Sequence, residues 1–119
     1  MSEKFNFNNQ QEIEEYVNNI ITSKKTEVDP YLDEMAGKLL KVIIMYVLES
    51  EPRENHNIDR CVEIVEENIG KSSEESELTN KINALGFANK INVEYTPIKI
   101  VSERIFKEIF ENLKNKFIL

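Results

Sequence analysis

Apolar residues recur along this chain at intervals of three and four rather than two, the spacing that builds one face of an α-helix. Ile13, Tyr16, Val17, Ile20 and Ile21 form the first stripe, with Glu12, Glu14, Glu15, Asn18 and Asn19 on the other faces. The spacing predicts a helix from about Asn9 to about Ser23, with the polar stretch Ser23 to Val28 as its exit. Asp29-Pro30 opens the next helix: an aspartate cap, then a proline whose missing N–H costs nothing in the first turn. Asp33 and Glu34 add negative charge near that terminus, favourable against the helix dipole. From Pro30 to about Ser50 the apolar positions Tyr31, Leu32, Met35, Ala36, Leu39, Leu40, Ile43, Ile44, Tyr46, Val47 and Leu48 cover more than one stripe. That places this helix at the centre of a bundle. Gly37 inside it costs about 1 kcal/mol relative to alanine and implies close approach of another helix.

Pro52 ends the central helix, and a polar turn over Arg53 to Asn57 leads to a third helix capped by Asn57. Ile58, Cys61, Val62, Val65 and Ile69 face inward there, and Gly70 supplies the C-terminal cap. Lys71 to Glu77, the most polar segment, is expected to be a mobile loop. A shorter fourth helix follows from about Glu75 to Leu85, with Leu78, Ile82 and Leu85 inward and Gly86 as its stop. Ile91, Val93 and Tyr95 alternate as a strand would, but a lone strand has no partner, so Phe87 to Tyr95 reads as an irregular connection or a helical turn. Thr96-Pro97 repeats the cap-plus-proline opening. The final helix then carries Ile98, Val101, Ile105, Phe106, Ile109, Phe110, Leu113 and Phe117. The expected fold is a compact all-α bundle of about five helices around residues 30–50, in a single domain spanning residues 1–119.

Composition changes that picture only by exclusion. At 119 residues the chain is one domain, able to bury roughly 65% of its unfolded surface without disulfides or metals. The longest apolar run, Val42 to Leu48, is far short of the roughly 20 residues a membrane helix needs, and no basic-then-apolar leader pattern stands at the N-terminus. Cys61, a single thiol, suits a reducing cytosol. Fifteen basic against 22 acidic residues give a net charge of −7, which disfavours generic nucleic-acid binding.

Candidate chemistry is sparse. Gly70-Lys71-Ser72 resembles the end of a phosphate loop, but the glycine required five residues before Gly70 is Val65, and the flanking pattern is helix then loop. His56 lacks a second histidine or a cysteine pair to complete a metal shell and reads as a solvated turn residue. Cys61 falls on an inward stripe and reads as buried and structural. No catalytic constellation, cofactor site or metal site is expected. What stands out is charge. Glu63, Glu66, Glu67, Glu74, Glu75 and Glu77 form an acidic run, read either as a solvated face or as a docking surface for a basic partner. Residues 90–119 hold six basic and four acidic side chains, net +2, which leaves −9 for residues 1–89. Lys99, Arg104, Lys107, Lys114 and Lys116 offer a small basic face, interrupted by Glu103, Glu108 and Glu111.

The order of features resembles a known family. Phe5-Asn6-Phe7, an amphipathic helix, Asp29-Pro30-Tyr31, then Ala36, Leu39-Leu40 and an aliphatic run ending Tyr46-Val47-Leu48 look like the all-α domain of type IV secretion coupling proteins, the TraG/TraD-like conjugation ATPases. The likeness continues through Pro52, Asn57-Ile58 and the terminal helix ending Leu113 to Phe117, and so covers nearly the whole chain. The chain departs from the pattern where Phe7 follows Asn6 in place of a proline, where Leu32 stands for a common tryptophan, and over Phe87 to Pro97.

The resemblance implies an internal domain without ATPase activity, excised from a hexameric pump anchored at the cytoplasmic face of the membrane. Its role would be to select cargo by binding a relaxase or an accessory DNA-processing protein, with the acidic run as contact surface. The alternatives are weak direct DNA contact through Lys99, Arg104, Lys107, Lys114 and Lys116, or a free-standing helical adaptor or regulatory protein.

Overall fold

The computed structural model describes residues 3–23 and 29–117. The described residues contain six α-helices: α1 (Gln10–Ser23), α2 (Pro30–Ser50), α3 (Ile58–Glu67), α4 (Glu77–Asn83), α5 (Lys90–Lys99) and α6 (Glu103–Lys116). A 3-10 turn over Arg53–Asn55 joins α2 to α3. Of the expected exit from α1, residues 24–28 lie outside the described residues.

The central helix is built as its sequence dictates. The Asp29 carboxylate accepts from the backbone N–H groups of Tyr31 and Leu32 at 3.1 and 3.3 Å, with Pro30 as the first helical residue. Leu39, Leu40, Ile43, Ile44 and Val47 are fully buried because α1, α3, α5 and α6 all pack on α2. Gly37 faces α1: a Cβ there would lie 3.5 Å from Ile21 and 3.7 Å from Val17. Helix α3 starts at Asn57, whose side chain accepts from the Arg60 N–H at 2.9 Å. Gly70 and Gly86 have φ of +77° and +95°, the left-handed conformation expected after α3 and α4.

Two expectations need correction. The stretch Phe87 to Pro97 is neither irregular nor the opening of the last helix; it forms most of α5. Asn89 caps α5 by accepting from the Ile91 N–H at 2.8 Å, and Ile91, Tyr95 and Ile98 are buried at i, i+4 and i+7 while Val93 turns outward. The helical stripe wins over the strand-like alternation because α2 and α4 supply a surface for α5 to pack on. Pro97 therefore lies inside α5, and α6 opens later, at Ser102, whose hydroxyl accepts from the Ile105 N–H at 3.3 Å. Six helices around a central α2 match the expected bundle of about five.

The loop between α3 and α4 is tied down rather than merely polar. Ser76 is fully buried; its hydroxyl donates to the Asn68 side-chain carbonyl and accepts from the Thr79 N–H at 3.2 Å. Asn68 Nδ2 in turn donates to the Ile64 carbonyl at 2.7 Å, which fixes the loop to the end of α3. Leu85 lies beyond the end of α4 and is partly exposed.

The N-terminal arm is also anchored. The Phe5 N–H donates to the His56 carbonyl at 2.7 Å, and Phe5, Phe7 and Tyr16 form an aromatic cluster with ring centroids 5.1–5.6 Å apart. His56, expected to be simply solvated, is half-buried, with Nε2 2.8 Å from the Glu51 carbonyl.

Candidate functional site

The acidic run is exposed but divided between elements. Glu63, Glu66 and Glu67 project from α3, Glu74 and Glu75 sit in the loop, and Glu77 begins α4. Arg60 gathers part of it: its guanidinium lies 3.4 Å from Glu63 and 3.7 Å from Glu67, while its firmest bonds go to Glu51 at 2.7 and 2.9 Å. Glu75 is engaged locally, accepting from the Ser72 backbone N–H at 3.0 Å, and that hydrogen bond holds its carboxyl below the usual glutamate value. Glu67 and Glu77 border one shallow depression between α3 and α4. The six carboxylates form a broad acidic face rather than a single cluster.

The basic alternative loses its continuity. Lys116 is buried and its ammonium donates to Asp33 Oδ1, so it cannot reach a phosphate. The amphipathic spacing of α6 puts it on the face against the first turn of α2, a partner that no sequence periodicity names. Asp33, expected to act on the helix dipole, is buried in the same contact, with Asn112 Nδ2 3.3 Å from the same oxygen. Lys99 belongs to α5, not α6, and donates to Asn83 and Asn92 at 2.8 and 2.6 Å. Lys107 pairs with Glu103 at 3.4 Å and Arg104 lies 3.9 Å from Glu108. Only Arg104 is strongly exposed among these paired cations, and Lys114 is half-buried.

The potentially reactive groups are quiet. Burial pushes the Cys61 thiol up to about 12, so it carries almost no thiolate near neutral pH. Tyr95 is likewise pushed up to about 12 by burial, although its hydroxyl lies 2.7 Å from Thr79 Oγ1. Among the described residues no group of three or more His, Cys, Asp or Glu side chains is placed to hold a metal ion.

One concave feature escapes sequence reasoning altogether. Helices α1 and α5 both pack on α2 but hardly on each other, and a groove of about 720 Å³ runs between them. Its floor is Gly37 with Val17 and Ile21 beside it, and Val93 and Pro97 form the opposite wall. Lys41 spans the groove at one end, 3.2 Å from Glu14 on α1 and 3.2 Å from Glu94 on α5. Burial lowers the Lys41 pKa, and the hydrogen bonds to Glu94 and Glu14 outweigh that effect, leaving it raised. The only signal in the sequence is Gly37, which marks a close approach without saying what stands beside it.

No model of a protein family, no curated protein and no solved structure matches this chain.

Proposed function

We propose that this chain is the substrate-recognition domain of a conjugative type IV secretion coupling protein, binding a relaxase or an accessory DNA-processing protein and catalysing nothing itself. One observation carries the reading: an all-α bundle organised on a long helix that opens at Asp29-Pro30-Tyr31, with a proline turn and a further helix after it and an amphipathic helix at its end. That is the architecture and element order the resemblance implies. The exposed carboxylates of Glu63, Glu66, Glu67, Glu74 and Glu77 support it physically, because charge complementarity mainly governs encounter rate and partner choice. On this reading the parent protein is a hexameric ATPase anchored at the cytoplasmic face of the membrane. No helix among the described residues is long and apolar enough to cross a bilayer.

Direct DNA contact is the weaker reading, since Lys116 is buried and Lys107 and Arg104 face carboxylates. So few available cations would give an affinity that collapses as salt rises. A free-standing adaptor is separated from the export reading by the reading frame itself. A phosphate loop encoded upstream and a magnesium-binding acidic strand downstream belong to the coupling protein, whereas flanking stop signals belong to the adaptor.

The binding test uses the cognate relaxase and accessory protein at low salt. Replacing Glu74 and Glu77 together by glutamine should leave thermal stability nearly unchanged, because exposed charges contribute about 0–1 kcal/mol. It should slow association, and the difference should shrink as salt screens both proteins over about 8 Å. Absence of binding to either protein at low salt would sink the reading.

A further inference from the structure

We propose that the groove between α1 and α5 is a docking site for an amphipathic helical segment of another protein, one that carries an apolar stripe and a net positive charge. The inference goes beyond the export reading and does not depend on it. Three observations converge on this occupant.

The first is shape. The groove is open along its length and follows α2 from Asp33 to Lys41, eight residues or about 12 Å, which matches two turns of a helix laid alongside. Gly37 deepens it, since no side chain rises from the floor at its centre.

The second is the apolar wall. Val93, Pro97 and Ile100 follow one another at i, i+4 and i+7 along α5 and all are exposed, Val93 at 56% and Ile100 at 72%. Val93 and Pro97 border the groove and Ile100 continues their line beyond it, while Val17 and Ile21, almost wholly buried, edge the opposite side. Helix-in-groove recognition lays anchors at i, i+3, i+4 and i+7 against an apolar wall of this kind.

The third is charge. Glu14, Glu34 and Glu94 border the groove against Lys38 and Lys41, and the Asp33 carboxylate is held by Lys116. Among the described residues that border it, and apart from Asp33, that is three carboxylates to two ammoniums, within a chain of net charge −7. Glu14 and Glu94 are held on opposite walls by Lys41, each with carboxylate lone pairs left for a second cation. A segment bearing lysine or arginine beside its apolar stripe meets both features, whereas an acidic segment is repelled.

The test uses the full chain and a synthetic amidated peptide of leucine and lysine, about 18 residues or five turns long, with leucines at i, i+3, i+4 and i+7. Two comparators accompany it: the same composition shuffled so that the stripe is lost, and the same stripe with glutamate replacing lysine. Amide shifts recorded by NMR should move saturably at Gly37, Lys41, Val93 and Glu94 with the first peptide and with neither comparator. Val93→Asn, at an exposed position that leaves the core intact and adds no charge, should weaken binding by about tenfold. Glu34→Lys should weaken it and flatten its salt dependence. The proposal is overturned if the shuffled peptide binds as well, if the shifts fall on the Glu63 to Glu77 face instead, if Val93→Asn binds as tightly with an unchanged melting curve, or if nothing binds at millimolar peptide. Because the peptides carry no cargo identity, those outcomes leave the relaxase reading to its own test.

Discussion

The Asp33–Lys116 ion pair has side chains 5% and 1% exposed and joins the first turn of α2 to the last turn of α6. Removing one member leaves the other charge buried without it, so Lys116→Met or Asp33→Leu alone should cost about 3–5 kcal/mol in urea unfolding. The double replacement should recover part of that loss, since apolar groups of similar volume often match a buried pair, while Asn112 loses its contact with Asp33. If the single changes cost no more than surface substitutions, the pair is not buried as described. Gly37 supports the opposite expectation. A Cβ there would make ordinary contacts with Ile21 and Val17, so Gly37→Ala should raise stability by about 0.5–1 kcal/mol through helix propensity. A loss of stability would mean that α1 lies closer than these distances. Cys61, fully buried with its thiol at about 12, should resist alkylation until the chain unfolds.

Helices α5 and α6 show how an opening motif can mislead. Thr96-Pro97 has the residue types of a helix start, yet Thr96 Oγ1 donates back to the Asn92 carbonyl at 2.9 Å, as a threonine inside a helix does. Pro97 has no N–H to offer the Val93 carbonyl, but Val93 lies on the exposed side, where water can replace that bond. The real opening is Ser102. Ser102→Ala should therefore destabilise the protein by about 0.5–2 kcal/mol through loss of a cap. If α6 ran unbroken from Pro97, the same change would be neutral or stabilising, so a urea titration separates the two descriptions. The α3–α4 connection obeys a related rule. Six of its residues read as solvated polar chain, but Ser76 reaches inward to Asn68 and makes a sequence of serines and glutamates structurally specific.

For the whole molecule, α2 carries the core, and Leu39→Ala or Ile43→Ala should each cost about 2–5 kcal/mol through lost transfer energy and an unfilled cavity. A cost under about 1 kcal/mol at both positions would contradict the central placement of α2. Acid sensitivity should include a contribution from the Glu51–Arg60 contact between the end of α2 and α3. The Arg60 hydrogen bonds hold the Glu51 carboxyl below its ordinary 4.5, opposed by burial and assisted by Asn55. With the folded value depressed, the unfolded chain binds the proton more readily, so the contact's full contribution is present above pH 4.5 and declines as pH falls through the folded value. Denaturation midpoints measured downward from neutral pH should drop in that window, and Glu51→Gln should remove part of the slope. An unchanged slope would show that other carboxylates govern acid unfolding.

Local physics was legible in the sequence at several element ends, where a residue acts on its own neighbours. Asp29-Pro30, Asn57, Gly70 and Gly86 set element ends through backbone geometry and short hydrogen bonds, and the crowded apolar pattern of residues 30–50 marked the central helix without any knowledge of its partners. The acidic run was equally legible, because exposure of glutamates follows from solvation alone. Tertiary structure decided everything that depends on meeting across distance. Lys116 looked like one more surface cation until α6 docked with that side against Asp33, 83 positions away. Ile91, Val93 and Tyr95 resolved into a helix only once α2 and α4 offered a surface at helical spacing. The groove exists because α1 and α5 flank α2 without closing on each other, a spacing set by packing geometry that periodicity along one chain does not encode.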